Sequence, residues 1–183
     1  MMLEQLAHSA KPVLDLPIVR RTRRNHGLEH ATITLLSRRI KGLQMAGRSD
    51  EHGFTLMGEA PTDQIEASVQ EALRRMRAGE HGLAVHPNCG TNLVTTGLLT
   101  TLVGALGLSG SSRRESFNRL PMIMVLMMGT VLFSQPLGLA LQKHFTTDGD
   151  PADLEVLSVK RSDMRMPFAN GPMTVHRVTT RSS

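Results

Sequence analysis

Two histidines and a glutamate lie close together in "NHGLEH", residues 25–30. On a helix, His26 and His30 stand four residues apart, so both imidazoles project from one face, with Glu29 on the same side. A tetrahedral zinc ion accepts this spacing. In the order H-x-x-E-H the glutamate is expected to serve as the general base for a metal-bound water. The motif therefore predicts zinc-dependent hydrolysis.

Zinc needs at least one further protein ligand, and the best candidate is Cys89 in "HPNCGTNL", beside a tight Asn-Cys-Gly turn. His86, His52 and His81 are the alternatives. Arg48 or His52 is predicted to stabilise the oxyanion of a reacting substrate. The competing interpretation is that both histidines of the motif belong to an ordinary polar helix face and that the cysteine is a buried free thiol.

The motif needs a helix, and "GLEHATITLLSRRI" has apolar residues at helical spacing. Two short strands are predicted in "LQMAGRSDEHGFTLMGEA". An amphipathic helix is predicted in "PTDQIEASVQEALRRMRAG", with Thr62 as N-cap and Gly79 as terminator. A last strand, "LAVHP", would lead to the cysteine. This order predicts an α+β fold with helices packed on one side of a small sheet.

Two uncharged runs follow, "NLVTTGLLTTLVGALGLSG" and "LPMIMVLMMGTVLFSQPLGLALQ". Each supplies about the 20 apolar residues that cross a bilayer. The short polar segment between them is typical of the turn of a helical hairpin, so we predict membrane spans at about residues 91–110 and 120–141. The alternative is a pair of buried core helices in a soluble protein, which a domain this small could hardly enclose.

The predicted organisation has four parts: a basic N-terminal segment at 1–23, an α+β metal-binding domain at 24–90, a transmembrane hairpin at 91–142 and a C-terminal tail at 143–183. The C-terminal tail contains two possible strands, "LEVLSVKR" and "MTVHRV", that could return to the sheet.

Composition restricts the partners. The chain has 183 residues and a formal charge of +5, with four arginines in "RRTRR", but no Trp or Tyr to stack on bases, so nucleic-acid binding is not expected. A single cysteine excludes an intramolecular disulfide. The expected partners are the lipid bilayer and a membrane-proximal protein or lipid-linked substrate. The sequence predicts no oligomeric state.

The predicted location is the bacterial inner membrane. Arginines in the loop between the spans favour a cytoplasmic loop by the positive-inside rule. Against this, the chain has no apolar signal-peptide region at its start, and "RRTRR" would suit an anionic cytoplasmic leaflet. We therefore expect a cytoplasmic globular domain.

"HGLEH" and the later "NCGT", with "GFTLMGEAPTDQIEASVQEALRRM" between them, resemble S-ribosylhomocysteine lyase, the autoinducer-2 synthase. The resemblance covers residues 24–93 and extends to the fold shared with inverted-zincin peptidases. It implies a His, His, Cys metal site at His26, His30 and Cys89, with Glu29 beside it. The whole chain also resembles an uncharacterised bacterial family of two-span membrane proteins with "HGLEHA" and "HPNCGTNL".

The chain departs from the lyase where that family has its catalytic cysteine. The corresponding turn here is "GRSDEHGF", which has no cysteine, and the lyase's substrate-binding N-terminal region is missing. We therefore expect a membrane-anchored, peptidase-like zinc hydrolase rather than a lyase. The alternatives are a non-catalytic scaffold or accessory subunit with a structural metal, and a plain membrane-interaction module in which the motif is coincidental.

Overall fold

The protein is described from a computed structural model that covers residues 2–165 and 172–183. The chain divides into two compact units. The first comprises Met1–His86 and Lys143–Ser183, and the second is Pro87–Gln142. Together the described residues form a mixed α+β structure with six helices and a four-stranded antiparallel sheet.

Four helices belong to the first unit: α1 (Met2–Ser9), α2 (Lys11–Leu14), α3 (Pro17–Arg39) and α4 (Thr62–Arg77). The predicted helix around the histidine motif is confirmed, but α3 starts well before it. Proline is favoured at the first helical position because its φ is already helical and it has no N–H to satisfy. The basic "RRTRR" run therefore lies within α3 and is not part of a segment separate from the motif.

The sheet contains β1 (Ala46–Asp50), β2 (Gly53–Met57), β3 (Glu155–Arg165) and β4 (Pro172–Arg181), in the order β1-β2-β4-β3. The predicted strands on either side of the Asp-Glu-His turn are confirmed, and so are the two predicted strands near the C-terminus. Because β4 pairs with β2, residues 143–183 supply half of the sheet of the first unit.

Helices α3 and α4 pack against each other and against the sheet around one hydrophobic cluster. The predicted amphipathic helix is confirmed as α4, whose apolar residues Ile65, Val69, Leu73 and Met76 are buried. Pro61, not Thr62, precedes the first turn of α4, and the Thr62 hydroxyl lies 3.1 Å from Nε2 of the buried His176. The fully buried large apolar side chains of this cluster are Leu28, Leu36, Phe54, Leu56, Ile65, Val69, Met76, Leu154 and Val178.

The predicted strand "LAVHP" is wrong. Residues His81–Ala84 form a short 3-10 helix, and the following Val85 is extended. Local bonds hold this turn, because the amide of Leu83 donates to the Glu80 carbonyl and the amide of Val85 to that of Gly82. This 3-10 helix contacts α3 and is not part of the four-stranded sheet.

The second unit is a pair of packed helices, α5 (Gly90–Leu108) and α6 (Arg113–Leu141). Thr96 and Ser134 share a 2.6 Å hydrogen bond between the two helices. Helix α6 begins before the predicted span because Ser112 and Glu115 form a capping box that satisfies two amides of its first turn. A single turn of π-helix, Gln142–Thr146, follows α6.

Both helices are long and apolar enough to cross a membrane. At about 1.5 Å per residue, α5 spans roughly 28 Å, which approaches the hydrocarbon thickness of a bilayer. Only 11% of the most apolar window in α5 and 17% of that in the second helix are buried. Core helices of soluble proteins bury most of such a stretch, so these two helices do not resemble core helices.

Candidate metal centre

The two histidines of the motif lie on adjacent turns of α3, with ring centroids 4.3 Å apart. Nδ1 of His26 lies 2.9 Å from the carbonyl oxygen of Thr146, and Nδ1 of His30 lies 2.8 Å from that of Ala84. Because a carbonyl only accepts, both rings must carry their proton on Nδ1, and the neutral ring then has its lone pair on Nε2. This is the arrangement in which histidines bind metals, with the second nitrogen held by a backbone carbonyl.

The backbone that orients His26 is itself fixed to α3. The Arg23 side chain donates to the carbonyl oxygens of Phe145 and Thr147 at 2.8 and 3.1 Å. Gly27 is needed for this approach, because a Cβ at that position would lie 2.2 Å from the Asp148 carbonyl oxygen. Gly27 and Arg23 therefore hold the backbone that orients His26, and the local sequence pattern did not predict this role for either residue.

Glu29 is 3% exposed and lies against β1. Its carboxylate accepts a hydrogen bond from the Ser49 hydroxyl, and a Cβ on Gly47 would lie 2.1 Å from its Oε1. Burial raises the pKa of Glu29 above its ordinary value, while the Ser49 hydrogen bond and the charge of His26 act in the opposite direction. A buried carboxylate beside a histidine pair is typical of a functional site.

Asn25, the first residue of "NHGLEH", connects α3 to two strands. It is 1% exposed; its side-chain amide donates to the Asp50 carbonyl at 2.8 Å and accepts from the Thr180 hydroxyl at 2.7 Å. Since buried amides are costly to leave unpaired, these bonds fix the start of the motif against β1 and β4. Sequence reasoning missed Asn25 because one of its partners lies 155 residues away in the chain.

Of the three alternative histidine ligands, only His86 lies near the pair. Its ring centroid is 5.9 Å from that of His30. Burial and the neighbouring charge of His30 lower the pKa of His86 below its ordinary value. His81 is an exposed residue of the 3-10 helix, and the His52 side chain is 73% exposed beside Glu51.

The structure does not bring the two predicted oxyanion residues to Glu29. Arg48 lies between Gly47 and Ser49 on β1, and successive side chains of a strand point to opposite faces. Because the Ser49 side chain contacts Glu29, Arg48 projects from the other face, where it is exposed. His52 lies in the turn between β1 and β2. These positions do not support the predicted role.

Cys89 is a buried cysteine at the N-cap of α5, where its sulfur accepts a hydrogen bond from the Thr91 amide at 3.4 Å. His26, His30 and Cys89 each offer an atom that could bind a metal ion, and the two histidines belong to the same unit. Ligand nitrogens of these two histidines lie no more than 4.8 Å apart. In a tetrahedral zinc site two such nitrogens are about 3.3 Å apart, so the two rings would move closer together when they bind the metal.

The profile described as "Domain of unknown function (DUF6391)" matches residues 21–159, which is more than half of the chain. The chain belongs to the DUF6391 family. The matched region contains the histidine motif, Cys89 and both apolar helices, so the candidate ligands all lie within the DUF6391 domain.

A relative of this DUF6391 protein is an uncharacterized protein of the cyanobacterium Picosynechococcus, 32% identical over 139 residues. The aligned region is 68% of this chain and 65% of the relative, so the chain spans less than two thirds of the relative's length. No solved structure matches the chain.

Proposed function

We propose that this DUF6391 protein is a membrane-anchored, zinc-dependent hydrolase of peptidase type. In this proposal His26, His30 and Cys89 bind the metal. When bound, zinc supplies a Lewis acid that lowers the pKa of a coordinated water. Glu29 would serve as the general base of the hydrolysis and would then donate the proton to the leaving group.

The observation that carries the proposal is that both imidazoles are held in the same way. Each Nδ1 donates to a backbone carbonyl, on Thr146 and on Ala84, so each Nε2 has the lone pair that a metal requires. Two polar residues on an ordinary helix face would have no reason to share this arrangement. Glu29 is buried beside them with a hydrogen bond from the Ser49 hydroxyl, and because burying a carboxylate is costly, this position supports a functional reason for it.

Chain connectivity supports Cys89 as the third ligand. It follows His86 by three residues, which span at most about 11 Å, and the His86 ring lies near that of His30. The helix N-terminus at Cys89 favours a negatively charged thiolate. Two imidazoles and one thiolate suit zinc, which takes three protein ligands at catalytic sites and keeps a fourth position for water.

The proposal also covers location and substrate. The two apolar helices support an integral protein of the bacterial inner membrane, and the basic run "RRTRR", which suits an anionic cytoplasmic leaflet, supports a cytoplasmic globular unit. With Cys89 immediately before α5, a bound substrate would be close to the membrane, as a protein tail or a lipid-linked molecule would be.

Glu29→Gln tests the catalytic role directly. The zinc-loaded protein in detergent is assayed against a mixture of internally quenched fluorogenic peptides. We expect cleavage by the wild type, at least about 100-fold slower cleavage by Glu29→Gln, and unchanged zinc content, because a missing general base costs about that much in rate. The control is His52→Gln, an exposed position that should keep full activity. Absence of zinc-dependent cleavage by the loaded wild type would contradict the peptidase proposal.

A structural metal site is the second candidate, and the position of His86 favours it. If that imidazole is a fourth ligand, the coordination shell is closed and the protein is a scaffold or an accessory subunit. Replacing zinc by Co²⁺ distinguishes the two. An open site changes its visible spectrum when a hydroxamate is added, whereas a closed site does so only in the His86→Ala variant.

A further inference from the structure

The N-terminal part of the first unit exposes apolar side chains that its core does not use. Six large apolar side chains of this unit are exposed among the described residues. Four of them lie in the N-terminal apolar segment, which we define as residues 6–18: Leu6, Val13, Leu16 and Ile18, each 52% to 60% exposed. Single exposed apolar residues are normal, but a concentration of this kind marks an interaction surface.

Cationic side chains accompany this segment. Lys11 lies within it, and Arg20 and Arg21 follow on the first turns of α3. Basic residues beside exposed leucine, isoleucine and valine on short helices are typical of segments that lie in the interface of an anionic membrane. The apolar side chains enter the boundary of the acyl chains, while lysine and arginine reach the phosphate groups.

Chain connectivity favours lipid, rather than a second protein, as the partner of the N-terminal apolar segment. The chain enters the two-helix unit from the first unit between His86 and Pro87 and returns to the first unit between Gln142 and Lys143. If α5 and α6 cross the bilayer, two covalent links hold the first unit at the membrane surface. The local concentration of lipid there far exceeds that of any soluble partner.

We infer that α1, α2 and the first turn of α3 form an interfacial anchor that binds anionic phospholipid. This inference rests on the membrane location proposed above, but not on zinc or hydrolysis. The anchor would hold the histidine motif, which lies on the same helix α3, at a fixed distance from the lipid headgroups.

The chain has no Trp or Tyr, so one introduced tryptophan is a clean fluorescent reporter. Ile18→Trp reports on the proposed anchor. Leu157→Trp, at a 52% exposed position on β3, is the matched water-exposed control. Phe133→Trp, at an 80% exposed position on α6, reports on membrane insertion itself. Each full-length variant is reconstituted into phosphatidylcholine vesicles with and without phosphatidylglycerol, using lipids brominated on the acyl chain near the headgroup.

The expected result is that brominated lipid quenches Ile18→Trp strongly and leaves Leu157→Trp nearly unchanged. Quenching of Ile18→Trp should increase with phosphatidylglycerol, and replacing Arg20 and Arg21 by glutamine should abolish that increase. Emission of Ile18→Trp that matches Leu157→Trp would overturn the anchor. Blue-shifted emission without lipid quenching would also overturn it, in favour of contact with a second copy of the chain. If Phe133→Trp is not quenched either, the membrane location fails and the anchor fails with it.

Discussion

At the scale of single residues, the spacing of His26, Glu29 and His30 predicted a metal-binding face, and the structure adds what holds that face in place. The carbonyl partners of the two imidazoles lie 120 and 54 residues away in the chain. No local pattern reports such partners, because a backbone carbonyl is common to every residue type. The sequence therefore identifies the candidate ligands, whereas their orientation depends on the tertiary fold.

Gly27→Ala tests whether this orientation depends on close packing. Alanine in a helix interior usually stabilises a protein by about 0.5–1 kcal/mol relative to glycine. Here the new Cβ would meet the Asp148 carbonyl oxygen, so we expect the opposite sign, a loss of about 1–3 kcal/mol. Thermal unfolding in detergent measures the change. Gly82→Ala is the control, because no described atom lies within 4 Å of its Cβ position. Equal melting temperatures for the two variants would contradict the packing described for Gly27.

At the scale of elements, periodicity predicted the long segments and failed on the short one. The apolar spacing in α4 and the two uncharged runs extend over several turns, so each carries a strong signal. The segment His81–Ala84 has too few residues to show a period, and its conformation is set by local bonds after Gly79. The start of α6 could have been read from the sequence, because "SRRE" has the capping-box pattern.

Packing of α5 on α6 predicts a difference between two glycines of the same helix. A side chain on Gly138 would overlap Asn92 of α5, at 2.2 Å from its Oδ1 and 3.1 Å from its Cα. Around Gly129 the described residues leave the equivalent space open. We expect Gly138→Leu to destabilise the helix pair by about 1–3 kcal/mol and Gly129→Leu to leave it unchanged. Thermal denaturation in one detergent compares them; a greater loss for Gly129→Leu would show that the helices pack through another face.

At the scale of the whole molecule, the first unit is assembled from both ends of the chain. Composition and hydropathy located the apolar helices and the two C-terminal strands, but strand pairing in a sheet has no local signature. The order β1-β2-β4-β3 places β4 between two other strands and makes residues 172–181 part of the core, through Val175 and Val178. The sequence therefore predicted the elements of the fold and left open whether the last strands joined the sheet.

A truncation tests this discontinuous assembly. A chain ending at residue 171 lacks β4, the strand that pairs with β3 on one side and with β2 on the other. We expect its first unit to be unfolded and rapidly cleaved by trypsin, because losing a central strand removes both core packing and two ladders of hydrogen bonds. A chain ending at Arg181, which keeps all of β4, should resist trypsin as the full chain does. Equal resistance of the two truncated chains would show that β4 is dispensable.

Metal content tests the central claim most directly. The full-length protein is purified in detergent without chelators, and zinc per chain is measured by elemental mass spectrometry for the wild type, His30→Ala, Cys89→Ala and Glu29→Gln. We predict about one zinc ion in the wild type and in Glu29→Gln, and a near-complete loss in the other two, because each removes one of three ligands. A wild-type protein that stays folded and takes up no zinc, even after incubation with the metal, would contradict the account.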